Sequence, residues 1–556
     1  MFGWSSAMGV PPVVAEPDAE RRPPTDPTPL DFPAHRPSFN PDPDAELHVK
    51  DIYQALASIR RPQDITPERF KPFNVSVEPD VATADITGRV VSSPPLPWTP
   101  EAADPANRCY PDGSPILLDN GNPYPPKDRY DVLEKELMYD NDDAFREVSR
   151  MEPRDGRERV RVTQTRKFWI GLEHMSHYWD TSLDEYIERP ATPKDNVADL
   201  MQTEPDAPQT AMEVDAPSAA TTTANGNGDG RLAPQENGPK TVKKYKGRRT
   251  GAGHEMPEEI RDETVRALTE MAAWPFGCQV ALPMMPPRLA TKALLFPVRQ
   301  TFGAARSPKD RQLARSGVME GPVFTAQCRP DTAFRGAQEE RGTGIAEVCD
   351  LFREIGGMLL AAQERGREGL TDVRPGEGQW WTSVPRWGGA PNDAVGDSAK
   401  AQCNSSEESK TPDPGNARKR SKFEHPFVAT GRTRTARKLS NAERWKVVQP
   451  GPSLWDRRMR YIQIGKEPES PFDDIYMLSS INHHVAILHL RVHRRYLEIL
   501  TSGESNFPPE SDTPDQPWYA LKLRRTKWHD LFNAQERVEA LQGIWTIFHQ
   551  LLRRTN

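Results

Sequence analysis

DDIYMLSSINHHVAILHLRVHRRYLEILTSG, residues 473–503, has the clearest periodicity in the chain. Ile475, Leu478, Ile481, Val485, Leu488, Val492, Tyr496 and Ile499 step by three or four residues, the spacing that keeps one face of a helix apolar. Asp473 and Asp474 precede the run, where a helix dipole favours anions, and Gly503 follows it as a C-cap would. The spacing predicts one long amphipathic helix. A second stripe, Val538, Leu541, Trp545, Phe548 and Leu552, follows Asn533 and Glu536, which are spaced as in a capping box, and closes at Arg553-Arg554. Together the two predict an antiparallel C-terminal helical hairpin.

Working back from this region, Ile345, Val348, Phe352, Ile355, Leu359 and Ala362 predict a helix over 344–365. Pro257 with Glu258 and Glu259 marks another helix start, continued by Ile260, Thr264, Leu268 and Met271. Cys278–Leu282, Ala293–Val298 and Val323–Arg329 read as short strands, and Val160, Val162, Phe168, Ile170 and Leu172 predict a strand over 158–172. Leu47, Ile52, Leu56 and Ile59 fit a short helix, and 62–130 reads as proline-rich extended chain.

Between these pieces the composition changes. Residues 191–240 contain no Phe, Trp, Tyr or Ile, and 389–440 carries the polar run Asn404–Ser409. Such segments cannot bury enough apolar surface to offset the entropy of ordering. The expected organisation is a Pro/acid-rich disordered tail (1–45), a first part of the core (46–190), an acidic disordered insert ending in a basic cluster (191–250), a second part of the core (251–388), a second disordered insert with a basic cluster (389–440), and a helical C-terminal region (441–556). The fold class expected is α+β: a discontinuous core of short strands and amphipathic helices, a C-terminal helical hairpin and long disordered inserts. Loops can be enlarged in this way because closure entropy grows only logarithmically with length.

The 556 residues are 36% hydrophobic and 28% charged, with 56 prolines, so part of the chain is expected to stay outside any core. The net charge of -7 does not describe a globally basic nucleic-acid binder. Five cysteines, Cys109, Cys278, Cys328, Cys349 and Cys403, are too few and too scattered for a disulfide framework or a zinc ribbon, and point to a reducing compartment. The N-terminus fits neither a secretory signal nor a mitochondrial presequence, and no apolar run approaches the ~20 residues of a membrane span.

Several constellations could carry chemistry. Glu173, His174, His177 and Asp180 place two imidazoles and two carboxylates within eight residues, enough for a metal-assisted hydrolase in which His174 and His177 are the ligands. His483, His484, His489 and His493 gather on the expected long helix, with His489 and His493 at i,i+4. The zincin pattern needs a glutamate between such a pair, and Leu490-Arg491-Val492 stands there instead. Gly251 with Gly253, and Gly342 with Gly344, precede helices but complete no phosphate-binding fingerprint. Trp380, Trp381 and Trp387 could anchor a partner or close a core. No nucleophile elbow or kinase signature occurs, and no cofactor is expected.

The basic clusters are Lys243, Lys244, Lys246, Arg248 and Arg249, and then Arg418, Lys419, Arg420 and Lys422, the second extended by Arg432, Arg434, Arg437 and Lys438. Accessible runs of this kind are read by nuclear import receptors or lie along phosphate backbones. Ser/Thr-Pro pairs such as Thr28-Pro29 offer phosphorylation sites that could mask them. The function expected is therefore a non-catalytic interaction or regulatory protein of the nucleus or nucleocytoplasm, with protein partners that include an import receptor. The alternatives are the hydrolase and a nucleic-acid-associated protein that uses the basic flanks.

Overall fold

The computed structural model describes residues 26–35, 51–59, 64–88, 94–110, 112–190, 241–283, 287–291, 295–316, 318–342, 344–366, 460–467, 470–508 and 516–553. The principal elements begin with α1 (Ile52–Ser58), β1 (Val75–Glu78), α2 (Lys127–Leu137), α3 (Asn141–Val148), α4 (Arg166–Trp179), β2 (Glu185–Pro190) and β3 (Thr241–Lys246). There follow α5 (Glu258–Ala273), β4 (Cys278–Ala281), β5 (Arg288–Ala290), β6 (Leu295–Pro297), β7 (Phe302–Arg306), β8 (Val318–Arg329) and α6 (Ile345–Gly366). The chain ends with β9 (Arg460–Ile462), β10 (Phe472–Ile481), β11 (His484–His493), α7 (Arg494–Ser502), β12 (Leu521–Arg525), β13 (His529–Asp530) and α8 (Ala534–Leu552).

The fold is mixed α+β. Among the described residues, nine strands form the main sheet in the order β1-β12-β11-β10-β8-β7-β4, with β13 paired to β11 and β9 to β8. The pairs β1–β12, β8–β10 and β8–β9 are parallel and the others antiparallel. The core is discontinuous, because this sheet collects strands from Val75 to Asp530.

Both faces of the sheet are covered. Met477 and Leu488 are register partners, as are Leu478 and Ile487. A Cβ on Gly357 of α6 would meet Met477 Cε at 2.8 Å, and one on Gly543 of α8 would meet Ile487 Cδ1 at 2.3 Å. The two glycines let α6 and α8 approach opposite faces of the same hairpin.

That arrangement overturns the helix expected over 473–499. The stretch is an antiparallel pair, β10 and β11, joined by the two residues Asn482 and His483. Strands covered on both faces are apolar on both, so a spacing of three or four can be picked out of a nearly continuous run. Ile475 and Leu478 of the expected stripe point to opposite faces. Only the end of the stretch is helical. His493 Nδ1 accepts the Arg495 N–H at 3.0 Å to cap α7, and Gly503, at φ +83°, closes it. The helical hairpin is therefore not formed. α8 begins where expected, with Asn533 Oδ1 accepting the N–H groups of Gln535 and Glu536, but it packs on α5 and on the sheet.

The strand expected over 158–172 is also replaced, by α4. Its entry is organised by Glu136 of α2, a buried carboxylate that accepts the N–H groups of Thr163, Gln164 and Thr165 at 2.9, 3.0 and 2.9 Å and the Thr165 hydroxyl at 2.7 Å. Phe168, Trp169, Leu172 and Met175 then recur at helical spacing and are buried.

The chain divides into two compact units, one of Met1–Pro27 with Ser176–Glu255 and one of Thr28–Met175 with Met256–Asn556. In the smaller unit β2 and β3 pair from Glu185↔Lys246 to Pro190↔Thr241. Strand β3 thus lies within the span 191–250 expected to be disordered insert, and brings the two ends of 191–240 side by side. In the larger unit Arg365, at the end of α6, donates to Ile464 O at 2.8 Å and grips Asp473, so the ends of 367–459 are likewise held together. Among the described residues, no helix is long and apolar enough to cross a membrane.

Candidate functional site

Arg329 ends β8, and Ser479 lies on the adjoining strand β10, whose Ile481 is its register partner. Above them, Glu347, Asp350 and Glu354 stand at i, i+3 and i+7 on α6, and all three are buried. Acidic side chains are almost never found there unless paired, and here they are paired. Arg329 donates to Asp350 Oδ1 at 2.6 Å and to Glu354 Oε1 at 3.1 Å, and bonds the Ser479 hydroxyl. Ser479 donates to Glu354 Oε1 at 2.6 Å, and Arg525, ending β12, donates to Glu354 Oε2 at 3.3 Å. The Trp528 ring lies 5.0 Å from the Arg525 guanidinium and 5.9 Å from that of Arg329.

An extended segment, Thr28–His35, is docked against this network. The Asp31 carboxylate takes a two-toothed grip from Arg335, at 2.8 and 2.7 Å from Nη2 and 3.1 Å from Nε, while the Asp31 N–H donates to Thr332 O at 2.9 Å. Phe32 stacks on Trp528 with ring centroids 5.3 Å apart and meets His484 edge-on at 4.8 Å. Pro33 is buried, and the Ala34 N–H donates to Glu347 Oε1 at 2.9 Å. His35 brings a ring nitrogen within 4.8 Å of carboxylate oxygens of both Asp350 and Glu354.

Burial and the two guanidiniums set the charge states of these groups. Burial, reinforced by Arg525, pushes His35 down to about 3. Such an imidazole is neutral at pH 7 and a weak base, far from the value that suits proton transfer there. Burial opposes ionisation of Glu354, but Arg525 and Arg329 hold it down at about 2, while burial raises Asp350 to about 6 against the pull of Arg329. The Ser479 hydroxyl is committed to Glu354. His35, Asp350 and Glu354 have the donor types of a cation site, but two guanidiniums already occupy the carboxylates, so the group does not suit a metal. His35 Nε2, Asp350 Oδ2 and Arg525 Nη2 are buried without a hydrogen-bond partner among the described residues.

The residues singled out from sequence lie elsewhere. His174 is exposed, with Nε2 3.7 Å from Glu173, and His177, further along α4, accepts the Thr250 N–H at its carbonyl at 2.7 Å. Asp180 Oδ1 caps a turn at Ser182 N, 3.0 Å away. Among the described residues, the groups that do bring three such side chains together are His35/Asp350/Glu354 and His483/His484/Asp530. His489 pairs with Asp474 at 2.8 Å and stacks on Tyr476.

At both glycine pairs a carboxylate of the chain takes up backbone amides. Glu255 accepts the Ala252 N–H at 2.8 Å, and Glu347 accepts those of Gly342 and Gly344 at 2.7 and 3.2 Å. In the first basic cluster Arg249 is buried and bonded to Asp184 at 2.6 Å, and Lys246 stands 3.7 Å from Glu185. Arg418, Lys419, Arg420 and Lys422, with Arg432–Lys438 and the tryptophans Trp380, Trp381 and Trp387, lie outside the described residues.

No known family model matches the chain, and neither does any curated protein or any solved structure.

Proposed function

We propose that this chain is a non-catalytic interaction protein, and that its recognition surface is the groove between Arg335, Trp528, His484 and α6. The observation that carries this reading is the docking of Thr28–His35, in which an acidic side chain, an aromatic ring and a backbone N–H each meet a dedicated partner. A groove that holds Asp-Phe-Pro-Ala-His in cis has the chemistry to hold a like segment of a partner in trans. Tethering gives the cis segment an effective concentration in about the millimolar range, so it acts as a competitor. The basic runs support a second part of the proposal, that the chain works in the nucleus with an import receptor among its partners. Nucleic acid is the less supported partner, since Arg249 of the first run is buried against Asp184.

A labelled peptide of residues 26–36 tests the groove. Added to the full chain carrying Asp31→Ala and Phe32→Ala, it should show saturable anisotropy, with binding to the unaltered chain at least tenfold weaker. A peptide with its own Phe32→Ala change should not bind. A double variant that stays folded by circular dichroism yet binds no peptide overturns the reading.

A further inference from the structure

The turn between β10 and β11 carries a second cluster, which shares His484 with the groove. His483 is in the turn and His484 opens β11, with ring centroids 4.2 Å apart. Strand β13 pairs with this end of β11 and makes Asp530 the register partner of His484. Directly opposed residues of paired strands hold their Cβ atoms about 5 Å apart. One donor atom from each of His483, His484 and Asp530 therefore falls within 4.8 Å of the other two.

We propose that these three side chains form a binding site for a divalent transition cation of the zinc class. Two imidazoles and one carboxylate are a donor set that such ions take, with a fourth position left to water or a partner group. Several features favour a built site over a chance cluster. The scaffold is regular: Asn482 N–H donates to Arg329 O at 3.1 Å and Leu531 N–H to His483 O at 3.0 Å, which fixes the turn on both sides. The carboxylate is oriented, since Asp530 Oδ1 accepts the Phe532 N–H at 2.9 Å, and supporting bonds of this kind hold metal ligands in place. His484 Nδ1 is buried with no hydrogen-bond partner among the described residues. Arg537, whose charge reaches Asp530, directs its donors at the carbonyls of Leu137, Tyr139, Leu531 and Phe532. The cluster shares His484 with the groove, and the metal titration reads the cation site whatever segment the groove holds.

Cobalt(II) is the probe. The full chain, stripped with a chelator, is titrated with Co²⁺ and read by d–d absorption, then with Zn²⁺. The expected result is one equivalent of Co²⁺ with four-coordinate intensity, displaced by one equivalent of Zn²⁺. His484→Ala and Asp530→Asn should each weaken Co²⁺ binding at least tenfold with unchanged circular dichroism. The asparagine keeps an acceptor for the Phe532 N–H, so this variant is expected to fold. His174→Ala should leave the titration unchanged. Absence of a saturable band in the unaltered chain, survival of the band in both site variants, or its loss with His174→Ala overturns the proposal.

Discussion

Glu354 shows what a single side chain can hold together. It is fully buried, and its two oxygens serve Arg329, Arg525 and Ser479. Removing one member of such a network leaves the others charged and dry, which costs about 3–5 kcal/mol, far more than the intact network contributes against an apolar alternative. Glu354→Ala is therefore expected to lower unfolding free energy by about that amount in urea denaturation, whereas Glu340→Ala, an exposed acid, should leave the midpoint in place. A loss below about 1 kcal/mol for Glu354→Ala would mean that Arg329 and Arg525 are compensated by other groups. None of this was legible in the sequence. Glu347, Asp350 and Glu354 share a helix face, and such a stripe reads as solvent-facing until Arg329 and Arg525, from distant strands, are brought beneath it. His35 and Phe32 were hidden for a related reason, because they lie in a proline-rich tail with no periodicity.

At the scale of elements, legibility followed the number of faces an element buries. Helices α5, α6 and α8 each have a flank less apolar than the rest and were readable from spacing and caps. β10 and β11 are covered on both faces, and the spacing of their apolar run satisfied a helical template. The signal available was Asn482. It stands at φ +52°, a region that asparagine tolerates and β-branched or bulky residues do not, and its Nδ2 donates to Asp331 O at 3.1 Å. Asn482→Ala should destabilise the chain by about 2–3 kcal/mol, the cost of a left-handed alanine together with the lost bond. Asn482→Gly removes the strain but not the loss of the bond, and should fall between the two. Chemical denaturation of the three proteins gives the order, and an alanine variant as stable as the parent would show that the turn does not constrain the hairpin. α4 was misread for a different reason. The turn that leads into it is held by the Glu136 carboxylate from another helix, so local sequence carried only Thr163 and Thr165 as hints.

For the whole molecule, the described residues show where the long connections begin and end. The strand pair β2–β3 brings the ends of 191–240 side by side, and the Arg365 clasp does the same for 367–459. This geometry separates stability from localisation, and the two can be tested in parallel. The connection 191–240 is 50 residues long (240 minus 190). Shortening it to about ten residues lowers the closure entropy by about 1.4 kcal/mol, so the unfolding midpoint should hold or rise. Changing Arg418, Lys419, Arg420 and Lys422 to alanine should also leave the midpoint unchanged, but should move a fluorescently tagged chain from nucleus to cytoplasm. If the shortened chain unfolds several degrees earlier, 191–240 contributes to the core. If the unaltered tagged chain is cytoplasmic, the nuclear half of the proposal fails while the groove and the cation site stand on their own tests. The separation rests on where the described chain closes: Pro190 pairs with Thr241, and Arg365 holds Ile464 and Asp473.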